Sequence, residues 1–172
     1  AEIAVQASLT GHLVFSTLHT NDAPSAITRL VDMGVEPYLI ASSVEGLMAQ
    51  RLVRTVCKKC RTAAPAKDRE AIAKYVGAAE AAAFTEEVRG AGCEECRFTG
   101  YRGRLGVFEL FRVNEAIREL IMERATAGKI RKAAVAAGMR SLLLDGWRHV
   151  KTGRTTFDEV LRAAKVEHDM DD

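Results

Sequence analysis

The chain has 172 residues, 48% hydrophobic and 28% charged, so it is long enough and apolar enough to bury a core. Its 25 basic and 23 acidic side chains give a formal net charge of only +2, which excludes a strong overall field for nucleic acid or an anionic membrane. There is no membrane-helix or signal-peptide pattern, so we expect a soluble, intracellular protein. The first residue is not Met, and we expect a piece of a longer chain.

An α/β pattern begins the chain. Residues 1–10 predict a helix that ends at Gly11, and the segment "LVFSTL", residues 13–18, predicts a buried strand of apolar and β-branched residues. Asn21 or Asp22 is suited to cap the helix that follows.

A second helix and a second strand follow. The capped helix is expected to end at Gly34, and Pro37 to begin another helix. Four apolar residues share helical spacing after it: Ile40, Val44, Leu47 and Met48. The segment "RLVRTV", residues 51–56, predicts a strand. Four elements are too few for a complete doubly wound sheet, so we expect that half of this domain lies N-terminal to the sequence.

Four cysteines form two C-x2-C pairs, in "CKKC" and "GCEEC": Cys57, Cys60, Cys93 and Cys96. Four thiolates suit a tetrahedral Zn²⁺ ion, with Zn–S distances of about 2.3 Å. The alternatives are two disulfides or four buried free thiols, and disulfides are disfavoured in a cytoplasmic chain. Four thiolate ligands leave no open coordination position, so a zinc ion here is expected to fold the chain rather than to catalyse.

The chain after Cys60 is mainly helical. Residues 62–92 separate the cysteine pairs, and "VGAAEAAAFTEEV" favours helix in what we interpret as a solvated insertion. The segment "LGVFELF" predicts a strand, and four helical stretches from Asn114 onward predict a small helical bundle. Thr156 and Glu159 have capping-box spacing. Trp147 is expected in the core, with no role in a site.

Basic residues concentrate around the cysteine pairs. Residues 51–61 contain five basic and no acidic side chains, and three arginines follow the second pair. The eight residues are Arg51, Arg54, Lys58, Lys59, Arg61, Arg97, Arg102 and Arg104. They predict either a solvated rim or a surface for anionic lipid headgroups, an acidic partner or nucleic acid. Only Phe98 and Tyr101 lie among them, which argues against a platform for stacking single strands.

Two histidines flank the predicted strand at residues 13–18. Ligands of open α/β sheets lie beyond the carboxyl ends of strands, and His19 follows such an end. His12 lies at the other end, and the odd offset of seven residues would direct the two rings to opposite faces, so we do not expect a shared metal. On these residues alone, His19 is either a structural or a functional residue. The sequence contains no GxxxxGK[ST] phosphate loop, and "AGKIR" is a helix start.

Several collinear segments resemble the ATPases of type II secretion and type IV pilus assembly. They are "EIAVQASLTGHLVFSTLHTNDAPSAITRL", "EPYLIASSVEGLMAQRLVRTVC", the two C-x2-C pairs, "GCEECRFTGYRGRLGVFEL" and "GMRSLLLDGWRHVKTGRTTFDEVLR". The resemblance covers the chain apart from the insertion between the cysteine pairs and the acidic tail "EHDMDD". Motifs in the same order are more specific than any one of them.

This resemblance implies a fold and its divisions. The family has a RecA-like core with the nucleotide motifs and a histidine box, followed by a metal-binding module and a helical module. It implies an α/β fold class: residues 1–56 are the C-terminal remainder of a RecA-like P-loop ATPase core, residues 57–110 a tetracysteine zinc module with a helical insertion, and residues 111–172 a small helical bundle.

The resemblance also implies a function. The complete protein would be a hexameric motor ATPase, cytoplasmic and peripherally associated with the inner membrane, that hydrolyses ATP to drive pseudopilus-based protein secretion or type IV pilus assembly. His19 would sense the γ-phosphate or help to place the attacking water, and His12 would brace that site or contact a neighbouring strand. ATP and Mg²⁺ would bind to Walker A and B motifs, which these 172 residues lack, so we expect the chain alone to be inactive and not to form a hexamer.

The resemblance implies partners as well: neighbouring subunits, the inner-membrane platform and anchoring proteins, and anionic phospholipid, but no nucleic acid. A different class of function remains open, in which a free-standing zinc ribbon with helices binds nucleic acid or protein. The segment "KIRKAAVAAGMRSLL" could imitate a helix-turn-helix. The histidine segment has no role in such a module, so the motif order favours the ATPase, and of its two systems we favour secretion.

Overall fold

The computed structural model describes residues 1–66 and 69–164, which form two compact units. Unit 1 comprises residues 1–49 and 109–141, and unit 2 comprises residues 50–108 and the described residues from 142 onward. The three segments predicted from the family resemblance follow a different division and stay a prediction. The tail "EHDMDD" lies outside the described residues.

The described residues form a mixed α/β structure. Its helices are α1 Glu2–Leu9, α2 Ser25–Asp32, α3 Pro37–Ser43, α4 Arg69–Val76, α5 Ala78–Ala83, α6 Glu115–Met122, α7 Ala127–Ala136, α8 Leu142–Lys151 and α9 Phe157–Ala164. Its strands are β1 Gly46–Val56, β2 Arg61–Pro65, β3 Glu86–Gly90 and β4 Tyr101–Arg112. Strand β1 pairs with β4, and β2 pairs with β3. Among these helices, none is long and apolar enough to cross a lipid bilayer.

Helices form the core of unit 1. Helices α1, α2, α3, α6 and α7 contact one another, and their apolar faces bury the isoleucines Ile27, Ile40, Ile117, Ile121 and Ile130. The residue directly before α2 is Pro24, but the predicted capping contact of Asp22 is present, because its Oδ1 accepts the N–H of Ser25, the first residue of the helix, at 2.8 Å. Asn114 caps α6 in the same way, with Oδ1 accepting the Ile117 N–H at 3.0 Å.

The strand predicted at residues 13–18 is wrong for the described structure. Residues 12–20 have no regular secondary structure, and Leu13 and Phe15 are 83% and 87% exposed. A strand exists only where a neighbouring strand accepts and donates its backbone hydrogen bonds. Within the described residues no strand pairs with this segment, so its apolar side chains have nothing to pack against.

The helix predicted from Pro37 is too long. It ends at Ser43, Val44 has an extended backbone, and β1 begins at Gly46. Leu47 and Met48, which share helical spacing with Ile40, therefore belong to the strand. Pairing with β4 overrides the helical period of this short apolar run.

The insertion between the cysteine pairs forms part of the core of unit 2, whereas the sequence predicted a solvated insertion. Strands β2 and β3 pair antiparallel, and α4 and α5 connect them. Trp147 of α8, 3% exposed, meets Phe84 edge-on at 4.7 Å between ring centroids and Phe157 at 5.8 Å. Its Nε1–H donates to Glu80 at 3.0 Å. The core position predicted for Trp147 is confirmed.

The four C-terminal helices are divided between the two units. Helices α6 and α7 belong to unit 1, whereas α8 and α9 belong to unit 2. Helix α9 begins with two buried contacts to distant segments: Glu87 Oε1 accepts the Phe157 N–H at 2.8 Å, and the Tyr101 hydroxyl lies 2.8 Å from that of Thr156. Long-range contacts that no local pattern encodes assign these helices to different units.

Glu159 holds α9 to β1. Its carboxylate is 3% exposed, accepts the Arg54 N–H at 3.2 Å and pairs with the side chains of Arg54 and Arg162. Half of the predicted capping box is present, because Thr156 Oγ1 accepts the Glu159 N–H at 3.4 Å. Burial would raise the pKa of Glu159, but the arginine hydrogen bonds outweigh it and lower the pKa to about 2.

Glu159→Gln should lower the free energy of unfolding by about 2 kcal/mol at neutral pH, because it leaves two arginines without their carboxylate. The folded pKa lies below the unfolded value, so this stabilisation is present above about pH 4.5 and is lost as the pH falls towards 2. Urea unfolding monitored across this pH range measures the difference. Exposed Glu119→Gln is the matched control, and a pH-independent Glu159→Gln deficit would contradict the assignment.

Gly90 and Gly100 let two backbone segments touch. A Cβ atom on Gly90, at the end of β3, would lie 2.0 Å from the Gly100 carbonyl oxygen. The same oxygen accepts the Cys57 N–H at 2.9 Å. Because the Cβ atom is attached rigidly to one backbone and the oxygen belongs to the other, neither can move aside as the end of a flexible side chain could.

Gly90→Ala should therefore destabilise unit 2 by more than about 2 kcal/mol. Gly128→Ala is the matched control, since its Cβ in α7 would meet no atom closer than 4.0 Å, and alanine favours a helix. Thermal unfolding followed by the fluorescence of Trp147 compares the two variants. Equal midpoints would show that the two backbones do not touch in solution.

Candidate metal centre and histidine segment

Two turns bring the cysteines together in unit 2. Cys57 directly follows β1, and Cys60 directly precedes β2. Cys93 directly precedes a short 3-10 helix, Glu94–Cys96, and Cys96 is the last residue of that helix. The two turns are joined by the Ala91 N–H, which donates to the Cys60 carbonyl at 2.9 Å. The four sulfur atoms all lie within 4.8 Å of one another.

The sulfur geometry fits a tetrahedral metal ion. The Sγ–Sγ distances are 3.9 Å for Cys57 and Cys93, 3.8 Å for Cys60 and Cys96, and 3.8 Å for Cys93 and Cys96. A tetrahedron with metal–sulfur bonds of about 2.3 Å has edges of about 3.8 Å. A disulfide requires about 2.05 Å, and all four cysteines are free thiols. The cysteines converge as predicted and could hold one metal ion.

Backbone N–H groups donate hydrogen bonds to two of the cysteine sulfurs. The N–H groups of Cys93 and Gly100 donate to Cys96 Sγ at 3.2 and 3.3 Å, and that of Gly92 to Cys60 Sγ at 3.3 Å. Burial would raise the pKa of Cys96, but the two N–H groups outweigh it and lower the pKa to about 6. Burial raises the pKa of Cys60 to about 11. The N–H groups therefore favour the thiolate form that a metal ligand must adopt, and metal binding would release the remaining thiol protons.

Acidic side chains interrupt the predicted basic patch. Glu95 pairs with Lys59 at 2.6 Å and with Arg102, and Arg54 pairs with Glu159. Three of the eight basic residues are therefore neutralised by carboxylates. Phe98 is 74% exposed and has a left-handed backbone.

The two histidines lie on the surface of unit 1. Both are in the irregular segment 12–20 and are exposed. His12 Nδ1 lies 3.0 Å from Thr10 Oγ1 and 3.2 Å from the Ala7 carbonyl, so this ring rests on the end of α1. The only described group of three or more possible ligands that could hold a metal is that of the cysteines, and neither histidine belongs to it. Their assignment to a nucleotide site stays a prediction.

The sequence analysis missed Glu109 and Arg131. Glu109 is 1% exposed in β4, and its Oε1 accepts the Ala23 N–H at 2.9 Å. Arg131 of α7 lies 3.5 Å from Glu109 and 2.8 Å from Asp22. The sequence carried one signal. In "GVFELF" side chains alternate between the two faces of the strand, so Glu109 shares a face with Val107 and Phe111. A charge on such a buried face needs a partner.

Comparison with known proteins identifies the family. A model described as "Type II/IV secretion system protein" matches residues 1–162. The chain is 49% identical to type II secretion system protein HxcR of Pseudomonas aeruginosa, over 96% of the chain and 31% of that protein. It is 46% identical to type II secretion system protein E of Aeromonas hydrophila, over 97% of the chain and 32% of that protein. It is 42% identical to the type IV pilus assembly ATPase PilB of Myxococcus xanthus, over 94% of the chain and 28% of that protein. The chain spans about a third of the length of these relatives, and it belongs to the type II/IV secretion system protein family.

Proposed function

We propose that the chain is the C-terminal part of a motor ATPase that hydrolyses ATP to drive protein secretion or type IV pilus assembly. One observation carries the proposal: a single family match runs through residues 1–162 and includes both the histidine segment and all four cysteines. A free-standing zinc module would account for the cysteines alone. The higher identity to type II secretion relatives, 49% against 42% for the pilus ATPase PilB, favours secretion.

In this proposal the chemistry involves unit 1. ATP and Mg²⁺ bind to phosphate-binding and acidic motifs that these 172 residues do not contain, so the chain by itself neither binds ATP tightly nor hydrolyses it. His19 senses the γ-phosphate or orients the attacking water, for which its exposed position leaves it accessible. His12, which rests on the end of α1, braces the segment.

The four cysteines have a structural role in this proposal. Zn²⁺ is the ion that tetrahedral thiolate sites of this spacing hold, and four sulfur ligands leave no coordination position for substrate. Bound there, zinc would supply no step of the ATPase reaction. It would join the two cysteine turns and so support the core around Trp147.

The complete protein works as an assembly in this proposal. It forms a homohexamer, whereas the chain alone associates weakly because ring contacts need other parts of the protein. It lies at the cytoplasmic face of the inner membrane and contacts platform and anchoring proteins there. Exposed basic residues of unit 2 that have no acidic partner among the described residues, Lys58 and Arg97 for example, are available to anionic phospholipid. Nucleic acid is not a partner.

The purified chain should contain one zinc ion per molecule. Metal binding at such sites contributes on the order of 10 kcal/mol to folding, so a chelator should unfold unit 2. Trp147 lies in that unit, and its fluorescence should shift to the red on chelation and return on adding Zn²⁺. A measured zinc content well below one ion per chain, with all four thiols freely reactive, would contradict the zinc site.

In the complete protein, His19→Ala should leave ATP affinity nearly unchanged and lower turnover about 100-fold or more. The phosphate loop supplies most of the affinity, whereas His19 acts on the reacting phosphate. His12→Ala is the matched control in the same segment and should affect stability more than turnover. Steady-state ATPase rates and nucleotide affinities, measured at equal oligomeric state, test the pair. Near-normal turnover in an assembled His19→Ala protein would make His19 a structural residue.

A further inference from the structure

Two carboxylates hold the turn that connects His19 to helix α2. Asp22 Oδ1 accepts the Ser25 N–H at 2.8 Å, and Glu109 Oε1 accepts the Ala23 N–H at 2.9 Å. The first N–H groups of a helix have no partner within it and carry partial positive charge, so carboxylates stabilise them. Thr20 Oγ1 donates to the Asp22 carbonyl at 3.0 Å and extends the ordered turn to the residue next to His19.

One arginine joins the two carboxylates. Arg131 Nη2 lies 2.8 Å from Asp22 Oδ2, and its Nη1 lies 3.5 Å from Glu109 Oε2. The planar guanidinium group can meet two carboxylates at once in a fixed geometry, which a lysine cannot do. Residues from α7 and β4 therefore fix the turn at the start of α2, and all of them belong to unit 1.

Packing alone gives no reason for a carboxylate at position 109. Its neighbours in the strand alternation, Val107 and Phe111, are buried apolar residues, and the Glu109 side chain is 2% exposed. An apolar side chain there would avoid the cost of removing a charge from water. A carboxylate supplies two contacts that an apolar side chain cannot: Oε1 accepts the Ala23 N–H, four residues after His19, and Oε2 lies 3.5 Å from Arg131 Nη1.

We propose that Glu109 and Arg131 are positioning residues for His19, acting through the turn at residues 20–23. The inference rests on the proposed role of His19 at the nucleotide. Without the Glu109–Arg131 pair, the turn loses an anchor and the imidazole samples more positions. A displacement of about 1 Å at a reacting group can cost as much as 100-fold in rate, whereas substrate affinity held elsewhere is unaffected.

The test uses the complete protein and a double-mutant cycle of Glu109→Gln with His19→Ala. Glutamine keeps the shape of Glu109 but not the charge that pairs with Arg131. Glu109→Gln should lower kcat about tenfold and change KM for ATP less than about twofold. In the His19→Ala background it should lower kcat by less than about twofold, because there is no imidazole left to position.

Glu159→Gln is the matched control, since Glu159 is also a buried carboxylate that accepts a backbone N–H and pairs with two arginines, but in unit 2. It should keep kcat within about twofold at a temperature where the protein is folded. Arg131→Gln, at a partly exposed position, is the second variant and decides the question if Glu109→Gln does not assemble. It should reproduce the loss of kcat at unchanged KM.

The outcomes separate the two proposals. If His19→Ala keeps normal turnover, the role of His19 fails, and the positioning inference fails with it. If His19→Ala loses turnover but Glu109→Gln and Arg131→Gln do not, only the positioning inference is overturned. It is also overturned if Glu109→Gln lowers kcat further in the His19→Ala background, or if Glu159→Gln lowers kcat equally, because both results indicate a general loss of stability.

Discussion

A carboxylate removed from water must be paired, and this constraint organises both units. Glu87, Glu109 and Glu159 are each at most 3% exposed, and each accepts a backbone N–H from a segment distant in the sequence. Each also pairs with at least one arginine. An unpaired buried charge is strongly unfavourable, so each glutamate requires its partner segment to stay in place. The carboxylates thus specify which helix start or strand lies against which.

The two units carry different kinds of site. In unit 2, four sulfur atoms lie within 4.8 Å of one another at the spacing of a tetrahedral metal site, and backbone N–H groups donate to two of them. In unit 1, the histidine segment is exposed, and the ordered turn beside it is held by Asp22, Glu109 and Arg131. In the proposed function, the sulfur group therefore supports folding and the histidine segment takes part in the chemistry.

The sequence predicts local features well and long-range ones poorly. The Asp22 cap, the strand "LGVFELF", the convergence of the cysteines and the burial of Trp147 follow from short patterns, and the structure has all of them. The strand at residues 13–18 fails because strand formation depends on a partner. The division of the C-terminal helices between the two units depends on tertiary contacts that no local pattern encodes. Arg131 was missed because its partners lie far from it in the chain.

The central claim is that His19 acts at the γ-phosphate in the complete protein. The most direct measurement is a structure of that protein with Mg²⁺, ADP and a metal fluoride that imitates the transferring phosphoryl group. The account predicts an imidazole nitrogen of His19 about 3 Å from the fluoride or from the water in line with it. The claim is contradicted if, in every subunit with bound nucleotide, the His19 imidazole lies farther from the fluoride than one bridging water molecule can span.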